Sequence, residues 1–204
     1  MGLFNKTYQI KNSFEEVLFT SDKVKSIKEC VELAVKNNVN LRIADFKGAD
    51  LKGVNLKGAK LNGASFVGAK LTGANFESAS LWGAVFKKAN LKGANFEGSD
   101  CRSVFFLDAN LEGANFKGAD FESNSFHKAN LEKASFEGVD FKGGYLTEAN
   151  LNETNFNGAS FTDIEFSSDK IKKDCIRKSK KGSDTEKIAK AQAMIKAAMA
   201  NSKR

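Results

Sequence analysis

The sequence predicts an all-β solenoid. The expected shape is a four-sided β-helix of about six and a half coils over residues 41–168, with a capping helix before it and a basic segment ending in a second helix after it. Three observations carry this. From Leu41 to Phe166 every fifth residue is large and apolar, and 25 of these 26 centres are Leu or Phe. Ala fills 17 of the 26 positions two residues before a centre and Gly 14 of the 26 positions two residues after, so the unit reads Ala-(Asn/Asp)-(Leu/Phe)-x-Gly. Sorted by a period of twenty, the centres separate into four columns of different composition.

A five-residue period fits neither regular element. On a helix it spreads the apolar residues around the whole circumference, and a flat strand needs strict alternation. It fits a chain that turns a corner every five residues, with the centre and the small residue two before it pointing inward. One column is all Leu: Leu51, Leu71, Leu91, Leu111, Leu131, Leu151. Two opposite columns are rich in Phe, one running from Phe46 to Phe166 and the other from Leu56 through Phe76 to Phe156. The fourth runs Leu41, Leu61, Leu81, Cys101, Phe121, Phe141, Phe161. Stacked Phe ladders on opposite walls follow if successive coils lie one strand spacing apart, which makes a rod about 31 Å long.

The N-terminal segment, residues 1–40, reads as a cover. Ser26-Ile27-Lys28-Glu29 has the form of a capping box, and Ile27, Val31, Ala34 and Val35 fall on one helical face. Residues 1–25 hold Tyr8, Ile10, Phe14, Val17, Leu18 and Phe19 but show no repeat that places them. Residues 169–204 form a basic tail, and Ser183 or Asp184 is the expected cap of a helix with an apolar stripe of Ile188, Ala191, Ile195, Ala198 and Met199. That stripe has three destinations: the last coil, a second copy of the chain, or a partner. The candidate dimer or docking positions are Ile188, Ala191, Ile195 and Met199.

Net charge is +7 but segregated: +1 over residues 1–40, +6 over 41–96, −8 over 97–166 and +8 over 167–204. Charged residues make up 28% and hydrophobic ones 41%, which suits a soluble folded chain. Cys30, Cys101 and Cys175 lie far apart, so we expect reduced thiols in a cytoplasmic protein rather than disulfides or a zinc site. The first twenty residues carry Lys6, Lys11, Glu15 and Glu16, unlike a signal peptide, and no apolar run approaches the ~20 residues of a membrane helix.

No catalytic, cofactor or metal constellation is expected. The single His127 follows a centre and should point outward, and Cys101 should be inert in the core. The outward positions are polar with two exceptions. The first is a candidate partner-binding strip of Val67, Val85, Phe105, Leu107 and Tyr145 on the wall of the long Phe column, with Trp82 on the adjacent wall. Two arrangements fit it: an open partner site, or a strip covered by residues 1–25 or the C-terminal helix. The second is a candidate acidic ladder, Asp100, Asp120 and Asp140, with Arg102 and Lys142 nearby and the basic tail as a further counter-charge. Columns of Asn on the remaining walls are expected to hydrogen-bond along the stack.

The repeat over residues 41–166 resembles the pentapeptide-repeat family. The resemblance implies the family's right-handed quadrilateral β-helix, with four pentapeptides per coil. It also implies binding rather than chemistry: a non-catalytic scaffold for a protein partner, without a small-molecule substrate. Relatives that imitate duplex DNA protect DNA gyrase and topoisomerase IV from quinolones or toxins, which sets an alternative reading. Residues 41–166, with 14 basic and 16 acidic groups, are a poor DNA mimic except in their acidic second half. Relatives that dimerise through C-terminal ends imply a homodimer through the helix above. The lowest alternative is nucleic-acid or membrane-surface binding by the basic tail.

Overall fold

The computed structural model describes residues 6–165. The C-terminal stripe Ile188, Ala191, Ile195 and Met199, and the basic tail that holds it, lie outside them.

Each pentapeptide makes the same backbone arrangement, seen at Leu51. The Leu51 N–H donates to the Lys70 carbonyl (2.8 Å) and the Gly53 N–H to the Thr72 carbonyl (2.9 Å), both one circuit on. The Val54 N–H closes the corner on the Leu51 carbonyl (3.1 Å). Parallel bridges twenty residues apart repeat this along four walls, for example Asp45↔Ser65, Asp50↔Lys70, Asn55↔Asn75 and Lys60↔Ser80. The chain is therefore a β-helix solenoid, its circuits joined by repeated backbone hydrogen bonds.

The corner demands a left-handed backbone at the position two after each centre. Glycines such as Gly53 (φ 59) and Gly93 (φ 65) adopt it freely, but Lys88 (φ 60), Lys133 (φ 59) and Glu153 (φ 55) hold the same conformation at a steric cost.

Inside, the two Phe columns form ladders. Phe66, Phe86 and Phe106 stack at centroid separations of 4.8 and 5.2 Å, and Phe76, Phe96, Phe116 and Phe136 at 4.7 to 4.8 Å. The two ladders meet edge to face, as at Phe86–Phe96 (5.8 Å, 88°). Each ring thus touches both its own column and the opposite one.

The N-terminal residues replace the circuit that would lie above the first coil. Strands β1 (Tyr8–Lys11) and β2 (Val17–Ser21) form an antiparallel hairpin. Its turn is fixed by Asn12, whose Oδ1 accepts from the Phe14 and Glu16 N–H groups (2.9 and 3.0 Å). Asn12 then pairs antiparallel with Ala44, and the Lys11 carbonyl accepts from the Asp45 N–H (2.8 Å). Helix α1 (Ile27–Lys36) starts at Ser26, whose hydroxyl accepts from the Glu29 N–H (3.1 Å), and buries Cys30, Val31 and Ala34. Ile27 and Val35 of the expected face are only partly buried. From α1, Glu32 accepts from the Asn55 N–H (3.0 Å), a bond that a preceding circuit makes elsewhere.

One corner departs from the repeat. Strands β3 (Phe121–Ser125), β4 (Asp140–Tyr145) and β5 (Ser160–Glu165) pair in parallel straight across it. At the inward small-residue position stands Asn124, buried, with its Nδ2 donating to the Cys101 carbonyl. Below it Gly144 (φ 119) is required, because a Cβ there would collide with the Asn124 carbonyl.

Candidate interaction surfaces

Since the centres point inward, the residues before and after each centre form the outer faces. On the Phe46 wall the positions before the centres run Asp45, Ser65, Val85, Phe105, Ser125, Tyr145, linked by successive bridges. Those after run Lys47, Val67, Lys87, Leu107, His127, Thr147. All six strip residues therefore lie outside the core. Phe105 is 43%, Tyr145 49% and Trp82 52% exposed, against almost nothing for any ladder Phe, so these three rings face solvent. Val67, Val85 and Leu107 are half-buried between neighbouring circuits.

The strip is not one continuous surface. Val85 and Phe105 are bridged neighbours, but Ser125 separates Phe105 from Tyr145. Trp82 belongs to the Leu41 wall and stands one corner, Gly83, before Val85. The hairpin stacks on the Asp45 end of the wall and does not run down it, so residues 8–21 leave the strip uncovered. His127 is half-buried, with Nδ1 2.6 Å from the Thr147 hydroxyl.

Three exposed apolar residues, Phe14, Val17 and Ile43, lie outside the strip expected from the sequence. Ile43 occupies a corner position that is usually Gly, is 39% exposed at φ 52, and accepts from the Ser13 N–H through its carbonyl (3.1 Å). Beside it Phe14, in the hairpin turn, is 74% exposed. The missed signal is Ile43 itself, the one large apolar residue in the Gly column.

The acidic ladder lies on the Leu41 wall. Asp100 and Asp120 are bridged neighbours, and the β3–β4 register puts Asp140 one strand further. Arg102 clamps Asp100 in a bidentate pair, with Nε to Oδ1 and Nη2 to Oδ2 both 2.8 Å. That hydrogen bonding holds the Asp100 carboxyl below the usual carboxylate range. Lys142 lies 3.7 Å from Asp140, which also accepts from the Ser160 hydroxyl. Asp120 faces a shallow groove lined by Arg102, Glu122 and Lys142. Two of the three ladder carboxylates are thus neutralised internally, in a largely polar groove.

The Asn columns are structural. Asn95 donates to Asn75 (3.4 Å), Asn115 to Asn95 (3.0 Å) and Asn150 to Asn130 (2.9 Å), while their Oδ1 atoms accept from the N–H two residues on. Cys101 is fully buried, its thiol is 3.1 Å from the Ser99 hydroxyl, and burial pushes it up to about 12.

Two family models match the chain: a pentapeptide repeat region over residues 39–116, and pentapeptide repeats (8 copies) over 106–143 and 145–168. Three solved structures are similar. A pentapeptide repeat protein of the Arabidopsis thaliana thylakoid lumen is 28% identical, over 65% of this chain and 77% of that one, with a TM-score of 0.37. Rfr23, from the cyanobacterium Cyanothece, is 28% identical over 51% of this chain, with a TM-score of 0.26, and the match spans 60% of its own length. QnrB1, a plasmid-mediated fluoroquinolone resistance protein, is 21% identical over 65% of this chain and 84% of that one, with a TM-score of 0.29. No curated protein matches the chain.

Proposed function

Because the chain belongs to the pentapeptide-repeat family, we propose that it is a non-catalytic scaffold whose Phe46 wall, continued round the corner by Trp82, binds a protein partner. One observation carries this reading: Phe105 and Tyr145 on the Phe46 wall and Trp82 round the corner from it present half-exposed rings on a backbone fixed by hydrogen bonds on both sides. A rigid wall pre-organises those rings, so a partner meets anchors that lose little side-chain freedom on binding. The test is Phe105→Asp and Leu107→Asp. Each should keep the circular-dichroism spectrum and melting temperature of the parent while losing the partner captured from host lysate by the unaltered protein. Retention of that partner by both folded variants would remove the wall from the interface.

A second reading, binding to DNA gyrase or topoisomerase IV, is favoured by the charge of −8 over residues 97–166 and by Asp100, Asp120 and Asp140 on one wall. Against it, Arg102 and Lys142 already offset two of the three ladder carboxylates. A supercoiling assay separates the readings: absence of inhibition or protection at micromolar protein eliminates the second.

A further inference from the structure

We infer that the partner segment received by the Phe46 wall is an acidic amphipathic helix laid along the solenoid axis. This rests on the reading that the wall is the contact surface, and it adds the chemistry of what binds there.

The first ground is charge. On the Leu51 and Leu56 walls, lysines find acids one circuit away: Lys57 with Glu77 (2.8 Å), Lys92 with Glu112 (2.9 Å) and Lys117 with Glu137 (3.2 Å). Lys47, Lys87 and Lys88 beside the strip break that habit, whereas Lys128 further along the same wall pairs with Glu148 (3.7 Å). Among the described residues none of the three has an ion-pair partner, and Lys87 stands between Val67 and Leu107 in one outward column. Three cations without an ion pair, outnumbering Asp45 and Asp108 on the same stretch of wall, match a partner with apolar residues on one face and carboxylates flanking them.

The second ground is spacing. Circuits repeat every ~4.8 Å, so the span from Val67 to Tyr145, four circuits, is roughly 19 Å. A helix of about thirteen residues covers that length, and its ~5.4 Å pitch nearly matches the circuit spacing. An extended strand along the same line presents one face every ~6.7 Å and loses register within two circuits.

Charge also decides against the other occupants. The chain's own residues 167–204 carry +8, the same sign as the border of the strip. A second copy meeting this wall symmetrically brings the same lysines into opposition. Single-stranded nucleic acid fits the lysines and rings, but the aliphatic Val67, Val85 and Leu107 give bases nothing to stack on.

The experiment uses the full chain and four probes: three fifteen-residue amphipathic helical peptides with identical apolar positions and flanking Glu, Gln or Lys, and a fifteen-nucleotide oligo-dT. Trp82, the only tryptophan, reports occupancy by its emission. The Glu peptide should bind roughly tenfold more tightly than the Gln peptide, and the Lys peptide not at all. The preference should shrink in high salt and reverse in a Lys87→Glu/Lys88→Glu double variant. Phe105→Asp should abolish binding. Equal binding of the Glu and Gln peptides, both lost in Phe105→Asp, overturns the acidic preference but leaves the wall as the contact surface. Binding unaffected by Phe105→Asp overturns both. Failure of every peptide to bind overturns the helix, and tighter binding of oligo-dT than of the Glu peptide replaces it with nucleic acid.

Discussion

Replacing Lys88 with Gly should stabilise this protein, although Gly inside regular structure ordinarily weakens it. Lys88 sits at a corner with φ 60, the conformation that Gly83 and Gly93 adopt in the same circuit. A left-handed backbone costs an L-residue about 1–2 kcal/mol. Gly relieves that but gains about 0.5–1 kcal/mol of freedom in the unfolded chain. The net stabilisation is roughly 0.5–1 kcal/mol, or about 2 °C in melting temperature for a chain of this size. The corner hydrogen bond, Lys88 N–H to the Leu107 carbonyl (2.9 Å), survives the change. The converse, Gly93→Ala, isolates the backbone effect, since no atom lies within 4 Å of the added methyl, and should cost about 1 kcal/mol. Gly144→Ala adds a collision with the Asn124 carbonyl and should cost about 3 kcal/mol or more. Urea unfolding followed by Trp82, in the same circuit as positions 88 and 93, measures all three. Destabilisation by Lys88→Gly would refute the claim that corner geometry, rather than packing, selects Gly in the repeat.

Three further outcomes are expected. Asn95→Ala removes a donor to Asn75, an acceptor for Asn115 and the cap on the Glu97 N–H (3.2 Å), and should cost about 1–2 kcal/mol by urea unfolding. Arg102→Ala should lower the melting temperature at pH 7 and matter less in acid. Arg102 depresses the folded Asp100 pKa, so its contribution is complete above the unfolded value of about 4 and fades as pH falls from there through the folded one. Melting curves from pH 7 to pH 2.5 should therefore converge, and a gap that widens in acid would show that Arg102 acts by packing. In a Cys30→Ser/Cys175→Ser background, Cys101 should react with a thiol reagent only on unfolding, because burial holds it as the thiol. Labelling faster than unfolding would mean that the core opens at that circuit.

The repeat was legible because one physical constraint, a corner every five residues, acts on the same positions throughout. It fixes which side chains face inward, so the Phe ladders, the Asn columns and the outward place of Val85, Phe105 and Trp82 all follow from register alone. What register does not contain was not legible. The hairpin of residues 8–21 has too few alternating residues to read as strands, and its position depends on long-range bonds from Lys11 and Ser13 to Asp45 and Ile43. Asn124 reads as a lapse from Ala, yet the structure pairs that lapse with another: Gly144 lacks a side chain where the Asn124 backbone approaches. The same logic applies to the strip. A solvated wall needs polar residues at its outward positions, and the other walls supply Asn, Asp, Lys and Thr there. Apolar rings held half-exposed at those positions point away from the buried ladder within. Those rings, beside Lys47, Lys87 and Lys88 with no ion-pair partner among the described residues, are the observation on which the proposed partner contact rests.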